Sequence, residues 1–84
     1  MALVREDFFS LAQILHQLQE PEEALVHYQK ALEFEPHNVD YLLTLARFYL
    51  DTGVKEEARK ILEQILAKYP RNAMALEMKR EALS

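Results

Sequence analysis

Eighty-four residues leave room for one small domain, which buries roughly 60–65% of its extended surface. Half of them are hydrophobic and 29% are charged, which excludes a disordered chain. One Gly, three Pro, no Cys and a net charge of −4 exclude a hairpin-rich β fold, a disulfide frame, a thiolate metal site and nucleic acid as a bulk partner. With Ala, Leu, Glu, Lys and Gln abundant, the prediction is an all-α protein.

The first helix is predicted from Val4 to Gln17. Val4, Phe8, Leu11, Ala12, Leu15 and Leu18 follow the three-four spacing of one inward face. Phe9 lies to one side of that stripe, and Leu3 and Ile14 to the other, so the helix is apolar on more than one side. Gln19-Glu20-Pro21 reads as a turn, with Pro21 opening the second helix, where its missing N–H has no partner to lose. Glu22 and Glu23 place negative charge at the positive end of the helix dipole. Ala24, Leu25, Tyr28, Ala31 and Leu32 face inward, and the helix stops before Pro36.

Asn38 is placed to cap a third helix carrying Tyr41, Leu42, Leu45, Ala46, Phe48 and Tyr49, with Leu43 and Leu50 turned elsewhere. Gly53 closes it in the left-handed conformation. A fourth helix, Lys55 to Lys68, buries Ala58, Ile61, Leu62, Ile65 and Leu66, and Glu56 is expected to pair with Lys60. After Pro70, Asn72 caps a fifth helix to about Leu83, whose apolar residues are Met74, Leu76, Met78 and Leu83.

Pro36 and Pro70 stand 34 residues apart, and seven pairs are identical at that offset: Leu11/Leu45, Ala12/Ala46, Glu22/Glu56, Glu23/Glu57, Ala24/Ala58, Leu32/Leu66 and Pro36/Pro70. The slots read Phe8-x2-Leu11-Ala12-x2-Leu15, Ala24-x3-Tyr28, Pro36, then Leu42-x2-Leu45-Ala46-x2-Tyr49, Ala58-x3-Leu62, Pro70. They resemble the tetratricopeptide repeat, a 34-residue helix-turn-helix, over nearly the whole chain. Sel1-like and pentatricopeptide repeats are near relatives of different repeat length. The resemblance implies a right-handed α-solenoid of antiparallel helix hairpins with five helices in a single domain 1–84: repeat one 5–38, repeat two 39–72, and a capping helix 73–84. The third copy, Leu76-x2-Lys79-Arg80-x2-Leu83, puts charge in two inward slots. Lys79 and Arg80 are therefore expected to face water, as in a terminal cap at a natural end.

No chemistry is visible. His16, His27 and His37 lie on separate segments with no i, i+4 ligand partner and are expected to be solvated. There is no nucleophile near a His, no glycine-rich phosphate loop and no H-E-x-x-H. Glu22-Glu23 and Glu56-Glu57 are first-turn acids rather than a catalytic pair. The reading is a non-enzymatic protein-protein interaction module without cofactor or metal. In the family it resembles, the first helix of each hairpin lines a concave groove that takes a peptide or helix of a partner. The groove candidates here are Phe9, Gln13 and His16, then Leu43, Arg47 and Leu50, then Met74, Glu77 and Glu81. Family members that hold acidic chaperone tails use a clamp of Lys, Arg and Asn. The matching places here are Phe9, Gln13, Thr44, Glu77 and Glu81, so the acidic-tail clamp is missing and an apolar or mixed ligand is expected.

The alternative is a self-assembly unit or a fragment of a larger repeat protein. Two repeats and a cap are fewer than the three usually needed for stability, and the first helix is expected to lack a preceding repeat that would cover Leu3 and Ile14. Leu3, Phe9 and Ile14 are thus the self-association candidates, and a homodimer is expected. Residues 1–42 carry two bases against eight acids, a net −6, and residues 43–84 a net +2, which offers head-to-tail contact as a second geometry. No signal peptide and no run near the ~20 apolar residues of a membrane span are visible, so the cytoplasm is the default location.

Overall fold

Two turns of matching hydrogen-bond pattern, 34 residues apart, organise the chain. In the computed structural model, which describes residues 5–84, they join α1 (Arg5–Gln17) to α2 (Pro21–Phe34) and α3 (Val39–Asp51) to α4 (Lys55–Lys68). A fifth helix, α5 (Ala73–Leu83), follows, and no strand occurs among the described residues. The fold class is all-α.

Each turn is a Schellman closure. In the first, the Glu20 N–H donates to Leu15 O at 2.9 Å and the Gln19 N–H to His16 O at 3.1 Å. In the second, Val54 N–H donates to Tyr49 O at 2.8 Å and Gly53 N–H to Leu50 O at 3.2 Å. Such a closure needs a left-handed residue, and Gly53 supplies it with φ 81°. Gln19 occupies the same place with φ 62°, although it carries a side chain. Both proline-containing links repeat as well. Asn38 Oδ1 accepts from the Tyr41 N–H at 3.1 Å, and Asn72 Oδ1 from the Ala75 N–H at 2.9 Å, so each asparagine caps the helix it precedes.

The chain divides into two compact units between Tyr41 and Leu42. In the first, α1 packs on α2. Ala12, Ala24 and Ala31 are fully buried, and small residues at these places let the two helices approach closely. Tyr28 is buried with them, a side chain whose removal from water contributes roughly 1.5–3 kcal/mol by analogy with other large core residues. Leu11 and Leu18 depart from the expected inward stripe: they are 42% and 65% exposed, and Ile14 beside them is 52% exposed. Phe8 instead leans along α2, stacked on Phe34 with ring centroids 5.8 Å apart.

In the second unit the core comprises Leu42, Leu43, Leu45, Ala46 and Phe48 of α3, Ala58, Leu62 and Ile65 of α4, and Ala75, Met78 and Ala82 of α5. Here α5 packs on α4. Of the four larger apolar residues of α5, Met74, Leu76 and Leu83 are exposed and Met78 is buried. Two alanines of the helix, Ala75 and Ala82, spaced seven apart around Met78, are buried with it. Arg80 faces water as expected, whereas Lys79 is half-buried. On α4 the expected Glu56–Lys60 pair gives way to Glu56 with Arg59 and Glu57 with Lys60, both at i, i+3 spacing.

Candidate functional site

Three residues of α1, Phe9, Gln13 and His16, share one side of the helix by their spacing of four and three. The structure engages two of them with aromatic side chains of the same unit. Phe9 stacks on Tyr41 with centroids 4.3 Å apart and planes 19° from parallel, and meets Tyr28 edge-on at 6.0 Å. His16 lies half-buried, its Nδ1 3.2 Å from the Tyr28 hydroxyl, where it gives this buried phenol a hydrogen-bond partner. Gln13 is exposed. His27 likewise departs from the solvated state expected of it: its Nδ1 donates to Glu23 O at 2.8 Å, and its ring lies 6.3 Å from Phe8. His37 is exposed.

On α3, Leu43 is only 6% exposed, so it does not offer the open apolar contact expected of it. Leu50 is half-buried, one turn beyond Arg47. Arg47 itself bonds to acids on two helices. Its Nη1 donates to Glu81 Oε1 at 3.1 Å and its Nη2 to Glu81 Oε2 at 2.7 Å, two parallel bonds from α3 to α5. Asp51, one turn along α3, comes within 3.7 Å of the same Nη1. The Glu81 hydrogen bonds hold the guanidinium above its ordinary range, and the Arg47 bonds hold the Glu81 carboxyl below the usual carboxylate value. Glu81 stands on α5 with Glu77 and Met74, both exposed. The ion pair thereby joins one groove candidate of α3 to one of α5 within the second unit.

Farther down α3, burial pushes the Tyr49 phenol up, with the charge of Glu57 adding to it, so the start of α4 lies near the end of α3. The clamp positions are unchanged in chemistry: Thr44 is half-buried, and Glu77 and Glu81 are acidic. Of the self-association candidates, Ile14 is exposed, Phe9 is stacked within its own unit, and Leu3 lies outside the described residues. Leu11 and Leu18, which join Ile14 on the open face of α1, were missed because their slots predict burial. The Arg47–Glu81 pair had a signal in the sequence, namely opposite charges 34 residues apart and so in one slot of successive copies.

No helix of the described residues is long and apolar enough to cross a membrane. No group of three His, Asp or Glu residues among them is placed to hold a metal ion. Compared with known proteins, the chain matches no curated protein. It does match the family model of the tetratricopeptide repeat over residues 11–81, a span that takes in both Schellman turns, both asparagine caps and the whole of α2, α3 and α4. With that match over most of its length, the chain belongs to the tetratricopeptide repeat family.

Proposed function

We propose that this chain is a non-enzymatic adaptor that binds a peptide or helix of a partner protein in its concave groove. Tetratricopeptide repeats are typically interaction modules, and the family supplies the general role. The observation that supports the finer reading is the Arg47–Glu81 pair, which ties α3 to α5 through two hydrogen bonds, with Leu50 half-buried on α3 and Met74 and Glu77 exposed on α5. An amphipathic segment matches that composition: apolar side chains against Leu50 and Met74, polar ones toward the charges. Within the first unit, Phe9 and His16 form a half-buried aromatic group with Tyr28, and Gln13 is exposed on the same helix.

The test is a peptide-array screen of amphipathic segments, followed by calorimetry on the best binder with wild type, Leu50→Asp and Met74→Asp. Affinity reduced at least tenfold by each substitution, with the circular dichroism spectrum unchanged, supports the reading. Binding that survives both refutes it.

A second reading is favoured by one observation of its own. Leu11 and Ile14 of α1 and Leu18 just past its end are exposed with three-four spacing, the spacing of a helix-pair seam. From Phe8 to Gln19 that helix carries no Asp, Glu, Lys or Arg, so a symmetric pairing of two copies brings no like charges together. This reading makes the chain a homodimer through α1. Sedimentation at tens of micromolar should give dimer mass for wild type and monomer mass for Ile14→Glu; monomer for both removes it.

A further inference from the structure

The groove face carries a single guanidinium or ammonium group among its candidate positions, and the protein has already given it a carboxylate. Arg47 and Glu81 meet through both nitrogens and both oxygens, the fork-to-fork geometry that a guanidinium offers to any carboxylate, whether on its own chain or on a ligand. Asp51 adds a second acid at 3.7 Å, so the trio is net negative. We propose that Glu81 is a specificity-determining internal competitor: it occupies Arg47 in place of a ligand carboxylate and makes the face refuse acidic segments.

Three features argue for it. The pair is exchangeable, because Arg47 and Glu81 side chains are 41% and 53% exposed and an ion pair in water is weak. Glu81 is tethered, and a tethered group acts at an effective concentration of the order of millimolar or more, which a ligand carboxylate at micromolar concentration does not match. The arrangement also depends on one slot of the repeat. Positions 13, 47 and 81 are equivalent at the 34-residue offset, and they hold Gln, Arg and Glu. The cation of one copy is thus answered by the anion of the next. The consequence is a rule about partners: with Glu81 present, the face selects segments without a carboxylate at this point, and without Glu81, Arg47 accepts one.

This inference rests on the reading of the α3–α5 face as the binding surface, and the two fail separately. The probe is a short Leu/Glu peptide, prepared with a free or an amidated C-terminus, titrated into wild type, Glu81→Gln, and Glu81→Gln with Arg47→Ala. Wild type should bind it weakly or not at all. Glu81→Gln, an isosteric change of an exposed side chain, should gain at least fivefold in affinity, and the added Arg47→Ala should abolish the gain. Loss of the gain on amidation identifies the chain end as the ligand group; its persistence identifies a side-chain carboxylate. A Glu81→Gln protein that binds no better than wild type overturns the inference, as does a gain that survives Arg47→Ala. As a measurement independent of any ligand, the Glu81 carboxyl-carbon titration followed by NMR should move to higher pH in Arg47→Ala. No movement means that the pair does not form in solution, and the inference falls. If no amphipathic peptide binds wild type but Glu81→Gln binds the acidic one, the competitor stands and the apolar-ligand reading falls.

Discussion

Gln19 holds the left-handed place that Gly53 fills in the second turn, and this difference invites a paired substitution. The two turns share their hydrogen bonds, so Gln19→Gly and Gly53→Ala change backbone preference at equivalent points. A left-handed residue with a Cβ costs about 1–2 kcal/mol. Glycine returns about half of that through the greater freedom of its unfolded chain. Gln19→Gly should therefore stabilise by about 0.5–1 kcal/mol. For a domain of this size that is a rise of about 2–8 °C in Tm. A Cβ placed on Gly53 meets nothing within 4 Å, so Gly53→Ala has no steric cost and should destabilise by a similar amount through φ alone. Circular dichroism melts of the two single variants and the double variant measure both signs, and in the double variant the effects should nearly cancel. A lower Tm for Gln19→Gly, or no change in Gly53→Ala, refutes the strain argument.

Ala46 is fully enclosed, and Ala46→Leu should destabilise by about 1–3 kcal/mol through overpacking, read as a lower urea midpoint; an unchanged midpoint means room is present where none is expected. Asn72→Ala removes the acceptor of the Ala75 N–H and should cost about 1 kcal/mol, with faster hydrogen exchange confined to the first turn of α5. The Glu81 carboxyl titrates below its ordinary range in the folded chain, so its contribution to stability is present above the unfolded carboxylate value and is lost as pH falls through the depressed folded one. The stability difference between wild type and Glu81→Gln should accordingly vanish in acid, and a difference that persists there argues against the pair.

Helix boundaries were legible because the chain marks them with residues of fixed backbone preference. Gly53 and Pro70 bracket α4, whose bounds match the expectation at both ends, and Pro21 opens α2. Burial was less legible, since it depends on what surrounds a residue and not on its identity. Leu11 and Leu45 are the same residue in the same slot, yet one is 42% exposed and the other is buried. On α5 the eye goes to Leu76 and Leu83, but Ala75, Met78 and Ala82 are the buried residues, and two of those three are alanines with little hydrophobic signal. The aromatic partners of Phe9 were hidden for the same reason: Tyr28 and Tyr41 are distant in sequence and come together only through the packing of α1 on α2 and the cap at Asn38.

The two copies divide their labour between what they share and what they do not. Identical residues build identical backbone: Ala12 and Ala46 are both fully buried, and Pro36 and Pro70 each stand two residues before a capping asparagine. The differing positions carry what an exact repeat lacks. At equivalent turns, Gln19 stores strain that Gly53 avoids. At the equivalent groove slot, a copied residue would set like beside like, arginine against arginine or glutamate against glutamate, and neither forms a bond. Only because position 47 is Arg and position 81 is Glu does α3 hold α5 through two hydrogen bonds across this face. Under the competitor proposal, the departure from periodicity that closes that bond also withdraws Arg47 from other carboxylates, so that one exposed pair of side chains joins α3 to α5 and bears on the choice of ligand.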